Sequence, residues 1–291
     1  MKRFPQTFLF RERLACCLAA LIALCIGACN INETPKSDRP VVAVSVLPLA
    51  FVVDRIADGE VEVEVMIPPG ASPALYEPAM DKMQALARAS VYVKVGHPDF
   101  PFEIAWLDRL TEGRENLSIV DSSAGVDRLD EDPHVWLAPA QMTGIARNVH
   151  AALVEELPEH RKRLDRNLAG LLAEIDAAAA SCRKILAPAR GRRFFVFHPA
   201  WGYFARAFGL TQVAIEEHGK EPDAHHIGEL VHAAEDAGVE VIFTQPQMSE
   251  ASAKLVADEI GARLGVLDPL AYDWPGNLKS AARAIAMGAV P

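Results

Sequence analysis

Short apolar runs rich in β-branched residues alternate with amphipathic helical segments along much of the chain. In the first half, this pattern predicts helices at 49–57, 77–89 and 102–112 between strands at 41–46, 61–67, 91–95 and 117–120. In the last third, it predicts helices at 201–208, 224–237, 249–260 and 274–287 and strands at 193–197, 211–215, 239–243 and 263–267. Strands that alternate with helices form βαβ units, so each region is expected to contain a parallel sheet flanked by helices.

One long helix is predicted between these two regions, because no strand pattern occurs between 140 and 187. Pro158 suits the first turn of a helix, where its missing N–H is not needed. The following residues form one apolar stripe at spacings of three and four, made up of Leu164, Leu168, Leu171, Ile175, Ala178, Cys182 and Ile185. The sequence therefore predicts an α/β protein of two lobes, 41–157 and 188–291, joined by a rigid helix at 158–187, with a ligand cleft between the lobes.

The N-terminal residues 1–28 have the pattern of a signal peptide, with basic residues before an apolar run from 14 to 28. The run ends in Ile-Gly-Ala and is followed by Cys29, which resembles the lipobox of a bacterial lipoprotein. We therefore expect lipidation at Cys29 and a polar tether at 29–40, which would anchor the protein to a membrane in the periplasm or at the cell surface. A plain signal peptide with a chance cysteine is the alternative.

Charge and cysteine content exclude two broad classes of protein. The chain has 29 Lys and Arg against 39 Asp and Glu, a net charge of −10, which argues against nucleic-acid binding. Three of the five cysteines lie within residues 1–28, so only Cys29 and Cys182 remain after cleavage. With Cys29 lipidated, no intrachain disulfide can form, and Cys182 is expected to pack as a small apolar residue.

Candidate chemistry lies where predicted strands end. His97, His198 and Asp268 each follow a strand, and His134 follows an acidic loop at 121–132. The carboxyl ends of parallel strands gather ligands, so these four side chains are expected to meet in the cleft. Imidazoles with a carboxylate suit zinc. A single histidine at such a place is usually structural, so only the joint placement indicates a metal site.

The remaining histidines are expected outside this site, and the common enzyme motifs are absent. Periodicity and position place most of them on solvated helical surfaces, namely His150, His160, His225, His226 and His232, whereas His218 could border the cleft. The chain lacks the sequences HExxH, GxSxG, GxxxxGK[ST] and GxGxxG, so no nucleophile is paired with a base by motif.

Six short motifs resemble the zinc/manganese substrate-binding lipoproteins of bacterial ABC importers. They are PPGASPALYEP at 68–78, DPHVWL at 132–137, HPAWGYF at 198–204, GKEP at 219–222, FTQPQ at 243–247 and LDPL at 267–270. The resemblance covers nearly the whole mature chain. It implies two lobes bridged by a rigid helix and one divalent metal ion in the cleft. It also implies His134 and His198 as histidine ligands and Asp268 as the carboxylate ligand.

The resemblance breaks at the position of the family's first histidine ligand, where this chain has Ala74. An alanine cannot bind metal, so either another residue completes the site, or water joins three protein ligands, or the protein binds a different ligand. His97 is the preferred substitute because it follows a strand in the same lobe, and Glu77 is the second choice. The chain also lacks the His-rich loop of many zinc-type members, and its counterpart at 121–132 is acidic.

These observations together predict a monomeric solute-binding lipoprotein, not an enzyme. It would capture a divalent metal ion, zinc in preference to manganese because two ligands are nitrogen donors, and deliver it to an inner-membrane ABC permease. The alternatives are a protein of the same fold that binds manganese or another transition metal, an exported zinc-dependent enzyme, and an adhesin or chaperone.

Overall fold

The computed structural model describes residues 39–216 and 238–290. The predicted signal peptide, the lipidation site Cys29 and most of the tether lie outside the described residues. So do the helix predicted at 224–237, the GKEP motif and the histidines His218, His225, His226 and His232. No helix within the described ranges is long and apolar enough to cross a bilayer.

The first sheet has four parallel strands in the order β2-β1-β3-β4. Its strands are β1 (Val41–Val44), β2 (Glu62–Val65), β3 (Ala89–Lys94) and β4 (Ser118–Asp121). Helices α1 (Leu47–Ala57), α2 (Met80–Ala87) and α3 (Pro101–Thr111) alternate with the strands. All four residues of β1 are buried, as a central parallel strand covered on both faces requires.

The second sheet repeats this topology, with the parallel order β6-β5-β7-β8. Its strands are β5 (Arg193–Val196), β6 (Thr211–Ala214), β7 (Val241–Thr244) and β8 (Arg263–Val266). Its described helices include α6 (Gly202–Phe208) and α7 (Glu250–Ile260). The predicted fold class, with two parallel sheets flanked by helices, is confirmed.

The predicted long helix is also confirmed, as α5 (Arg161–Leu186), and its 26 residues would extend about 39 Å at 1.5 Å per residue. It follows α4 (Pro139–Glu156) and packs against α1, α4 and the C-terminal helix α8 (Trp274–Gly288). Pro158 begins a separate 3-10 turn, Pro158–His160, just before α5. Of the predicted stripe, Leu168 and Ile185 are only partly buried, whereas Cys182 is fully buried.

Buried tryptophans connect the segments that carry the candidate site. The indole Nε1–H of Trp136 donates to the carbonyl oxygen of Pro269 at 2.7 Å. The indole of Trp274 donates in turn to the carbonyl oxygen of Trp136, also at 2.7 Å. Trp136 is two residues from His134, and Pro269 adjoins Asp268, so these bonds hold the loops of two predicted ligands together. A buried indole N–H without a partner would cost free energy, so both tryptophans favour this arrangement of the loops.

Candidate metal centre

The predicted site residues lie beyond the carboxyl ends of parallel strands, where α/β proteins place their ligands. His97 follows β3, His198 follows β5 and Asp268 follows β8. His134 lies immediately before a single 3-10 turn at Val135–Leu137. The contacts of each residue decide what it can bind.

His134 is held by a carboxylate two residues away. Its Nδ1 lies 2.8 Å from Oδ1 of Asp132, and its backbone N–H donates to the same oxygen at 3.0 Å. An ionised carboxylate only accepts hydrogen bonds, so Nδ1 carries the proton and the lone pair is on Nε2. Burial lowers the pKa of His134, an effect that Asp132 opposes and the nearby His198 and His97 reinforce. The ring is therefore neutral near pH 7, as a metal ligand must be.

His198 has the same arrangement with a different partner. Its Nδ1 lies 2.9 Å from Oε2 of Glu216, a residue that is only 5% exposed. Glu216 follows β6, and its backbone N–H donates to the carbonyl oxygen of Phe197 at 2.8 Å, which fixes its position beside β5. The carboxylate again accepts the Nδ1 proton, so Nε2 has the available lone pair. Carboxylates that hold metal-binding histidines in this way fix both the tautomer and the ring orientation.

The two prepared imidazoles lie next to each other. The ring centroids of His134 and His198 are 5.4 Å apart, with an angle of 77° between the ring planes. Two imidazoles on one tetrahedral zinc ion, each with a Zn–N bond of about 2.0–2.1 Å, have centroids about 5 Å apart. The centroid separation of the pair is therefore compatible with one shared ion.

Asp268 and His97 have contacts of a different kind. Oδ1 of Asp268 accepts hydrogen bonds from the Gln247 side chain and the Leu270 backbone N–H, both at 2.9 Å. His97 is 4% exposed, and both of its ring nitrogens have partners. Its Nδ1 accepts from the Asp99 N–H at 3.2 Å, and its Nε2–H donates to the carbonyl oxygen of Leu129 at 3.1 Å.

These contacts limit the ligand set. Among the described residues, no group of three His, Cys, Asp or Glu side chains is positioned to hold a metal ion. The structure brings His134 and His198 together, and among the described residues no contact joins Asp268 to either ring. His97 as a ligand stays a prediction, and it would have to give up one of its two hydrogen bonds to bind a metal. Ala74 and Glu77 are both exposed, in the segment between β2 and α2.

Sequence reasoning overlooked the residues that hold the histidines. Asp132 could have been found from the local sequence. An Asp side chain commonly accepts a hydrogen bond from the backbone N–H two residues later, which here belongs to His134. Glu216 has no such signal, since it meets His198 only through the pairing of β5 with β6. Of the other histidines, His150 contacts Asp165 at 2.8 Å and His160 contacts Glu60 at 3.3 Å, both away from the site.

The acidic segment before His134 is held by both lobes through Leu129. Its carbonyl oxygen accepts from His97 of the first lobe, and its N–H donates to the hydroxyl oxygen of Tyr203 in α6 at 2.8 Å. Gly202, the first residue of α6, allows Asp132 to approach closely, since a Cβ there would lie 2.5 Å from Oδ2 of Asp132. The position of Asp132, and through it the ring of His134, therefore depends on α6.

Comparison with known proteins matches most of the chain. A family model described as zinc-uptake complex component A, periplasmic, matches residues 42–288. The chain is 29% identical over 266 residues to the high-affinity zinc uptake system protein ZnuA of Yersinia pestis, with 79% of this chain and 82% of that protein covered. It is also 23% identical over 282 residues to the zinc-binding lipoprotein AdcA of Streptococcus pneumoniae, which covers 89% of this chain and 55% of that protein.

A solved structure described as ZnuA is similar in three dimensions. It matches with a TM-score of 0.82 and 36% sequence identity, covering 86% of this chain and 99% of that chain. The similarity thus extends over both sheets and the long helix.

Proposed function

Because the chain belongs to the family of periplasmic zinc-uptake complex component A proteins, we propose that it captures a zinc ion outside the cytoplasm and delivers it to an inner-membrane ABC permease. Proteins similar to this chain are metal-binding transport components, and the chain is not an enzyme. The observation that carries the proposal is the pair of adjacent imidazoles, His134 and His198, each prepared by its own carboxylate.

In the proposed site, His134 and His198 bind the ion through Nε2, and Asp268 supplies a carboxylate oxygen. Gln247 and Leu270 occupy Oδ1 of Asp268, so Oδ2 is the oxygen proposed to bind. Since the described residues do not already form a set of three ligands, we propose that ion binding draws the loop of Asp268 toward the two rings. The hydrogen bond from Trp136 to Pro269 keeps this loop close to His134.

The fourth position has three candidates, which are His97, Glu77 as the second choice among the side chains, and a water molecule. The hydrogen bonds of His97 to Leu129 and Asp99 support the water molecule, because binding through His97 would leave a buried polar group unpaired. A water ligand accounts for Ala74 without any rearrangement in the first lobe.

Zinc is proposed as the cargo in preference to manganese. Two imidazole nitrogens suit zinc, whereas manganese favours sites with more oxygen ligands. The names of the similar proteins from Yersinia pestis and Streptococcus pneumoniae, both of which refer to zinc, support the same choice.

Membrane anchoring through a lipidated Cys29 is also a proposal. It is supported by the Ile-Gly-Ala-Cys sequence at 26–29 and by one similar protein that is named a lipoprotein. The protein would then act as a monomer in the periplasm or at the cell surface, tethered by residues 29–40.

Metal analysis tests the cargo directly. Protein purified without added metal is expected to contain zinc, and competition with a chelator is expected to give a tighter dissociation constant for zinc than for manganese. A preparation that contains no metal and binds manganese at least as tightly as zinc would contradict the proposal.

A further inference from the structure

Positive charge is concentrated in one part of this acidic chain. The 39 residues from 177 to 215 contain six Lys and Arg and no Asp or Glu, although the whole chain has a net charge of −10. This segment covers the end of α5, the turn into β5 and all of α6. Its basic residues are Arg183, Lys184, Arg190, Arg192, Arg193 and Arg206. Segregation of this kind produces a local positive potential in a protein whose overall field is negative.

Three of these arginines line one cavity, which we call the basic cavity. It has a volume of about 480 Å³ and lies between the C-terminal end of α5 and α6. Arg183, Arg190 and Arg206 line it, together with the apolar residues Leu186 and Phe208. None of the proposed metal ligands lines this cavity, so it is separate from the metal centre.

Two of the three arginines are held in place by the fold. The guanidinium of Arg206 pairs with Asp127 at 3.0 Å and lies 5.5 Å from the ring centroid of Tyr203. The side chain of Arg190 packs against Gly209, where a Cβ would lie 3.4 Å from its Cγ and Nε. Gly209 also has a φ of +69°, a left-handed conformation that favours glycine. Preorganised side chains lose less conformational entropy when they bind a ligand.

Asp127 offsets the charge of Arg206, whereas the charges of the other two cavity arginines are not offset within the described part of the chain. Over residues 39–216 and 238–290, neither Arg183 nor Arg190 makes an ion pair. The basic cavity is therefore prepared for an anion.

We propose that the basic cavity binds a phosphate-bearing anion. Planar guanidinium groups donate paired N–H bonds that match phosphate oxygens, and one phosphate has enough oxygens and charge for several arginines. A carboxylate has only two oxygens and a single charge, which fits one arginine rather than two. The anion comes from free phosphate in solution or from the headgroup of an anionic phospholipid. The proposal does not depend on the metal cargo.

The test uses the mature chain with Cys29→Ser, which cannot be acylated at that position, and the same chain with Arg183→Gln and Arg190→Gln. Inorganic phosphate is titrated against each protein at low ionic strength, with chloride at matched ionic strength as the reference anion. In a second arm, each protein is sedimented with phosphatidylcholine vesicles that contain or lack phosphatidylglycerol. We expect the double variant to bind the effective ligand at least about tenfold more weakly.

A matched control removes two charges from the other end of the same helix. Arg161→Gln with Arg166→Gln changes exposed residues of α5 and is expected to bind as the parent protein does, and zinc affinity is expected to stay unchanged in both double variants. Phosphate binding supports the free-anion source, whereas binding only to phosphatidylglycerol vesicles supports the headgroup source. If the parent binds neither probe, or if both double variants lose binding equally, the proposal is overturned.

Discussion

His134 and His198 are each hydrogen-bonded to a carboxylate in the same way. Asp132 and Glu216 each accept an Nδ1 proton, and each imidazole keeps the lone pair of Nε2 for a metal ion. The two partners differ in origin, since Asp132 is a sequence neighbour of its histidine and Glu216 follows an adjacent strand. Each of the two rings is therefore oriented by its own carboxylate.

Removal of either ring should weaken zinc binding. We expect His134→Ala and His198→Ala each to raise the dissociation constant for zinc at least tenfold, about 1.4 kcal/mol, because each removes a nitrogen donor. Isothermal titration with a competing chelator measures this. His150→Ala is the matched control, since His150 pairs with Asp165 away from the site. Wild-type affinity in both site variants would refute the ligand assignment.

Ala74 and His97 test how the site is completed. If water fills the fourth position, Ala74→His should tighten zinc binding. His97→Ala should then lower the free energy of unfolding but leave the zinc affinity nearly unchanged. The reason is that His97 donates a hydrogen bond to the carbonyl oxygen of Leu129, and this oxygen loses its partner when the imidazole is removed.

A different result is expected if His97 is the fourth ligand. If His97 is a ligand, His97→Ala should lose as much zinc affinity as His134→Ala, and adding Ala74→His should restore part of the loss. Chelator competition and urea unfolding on the parent protein and these four variants separate the two outcomes.

Among the elements, α6 positions the acidic segment that carries Asp132. Tyr203 accepts the N–H of Leu129, and Gly202 leaves space for the Asp132 carboxylate. Helix α6 also begins four residues after His198 in the chain. This one short helix is therefore connected to His198 through the chain and to His134 through the segment that carries Asp132. Its contribution to the site is made through other residues rather than through any contact with the ion.

Gly202→Ala tests this dependence. The added Cβ would displace Asp132, so His134 should lose the carboxylate that orients it, and zinc affinity should fall about tenfold, as expected for an outer-shell partner. Gly170→Ala in α5 is the matched control, because a Cβ there meets no atom within 4 Å. We expect that control to keep its zinc affinity, since alanine is the better helix former. Equal affinity in both variants would show that α6 does not position His134.

For the whole molecule, zinc binding should be coupled to stability and to pH. A ligand that binds only the folded chain adds about 4 kcal/mol at a thousandfold excess over its dissociation constant. Because burial lowers the pKa of His134, the unfolded chain takes up a proton at this residue before the native chain does. Stability therefore rises with pH between the lowered pKa and the ordinary value of about 6.5, and is lost as pH falls through that window.

Melting curves with and without zinc measure this coupling. The zinc-induced rise in melting temperature should be clear at neutral pH and should disappear toward about pH 5, where protons compete with the metal for histidine. His134→Ala is the control, and its melting temperature should respond weakly to zinc at every pH. A melting curve that zinc does not change at neutral pH would indicate a different ligand.

The anchor is the second property of the whole molecule to test. Mass spectrometry of the native protein is expected to find a lipidated Cys29 at the N-terminus after cleavage following Ala28. The Cys29→Ser variant should be released from membranes. A water-soluble native product cleaved elsewhere would rule out this anchor.

The sequence by itself determined the alternation of strands and helices, the long helix and the ligand candidates His134 and His198. These follow from periodicity and from short motifs, which depend only on residues that are close in the chain. It also indicated Asp268, whose LDPL motif follows β8, although the structure does not place that carboxylate beside the histidines.

Only the tertiary structure decided how the histidines are held. The partner of His198 depends on the strand order β6-β5-β7-β8, which brings together residues 18 positions apart. The bond from Trp136 to Pro269 joins residues 133 positions apart. The Nε2–H of His97 donates a hydrogen bond to the carbonyl oxygen of Leu129, which is 32 positions away in the chain. Each of these depends on long-range packing, in which a buried polar group must find a partner that local sequence does not specify.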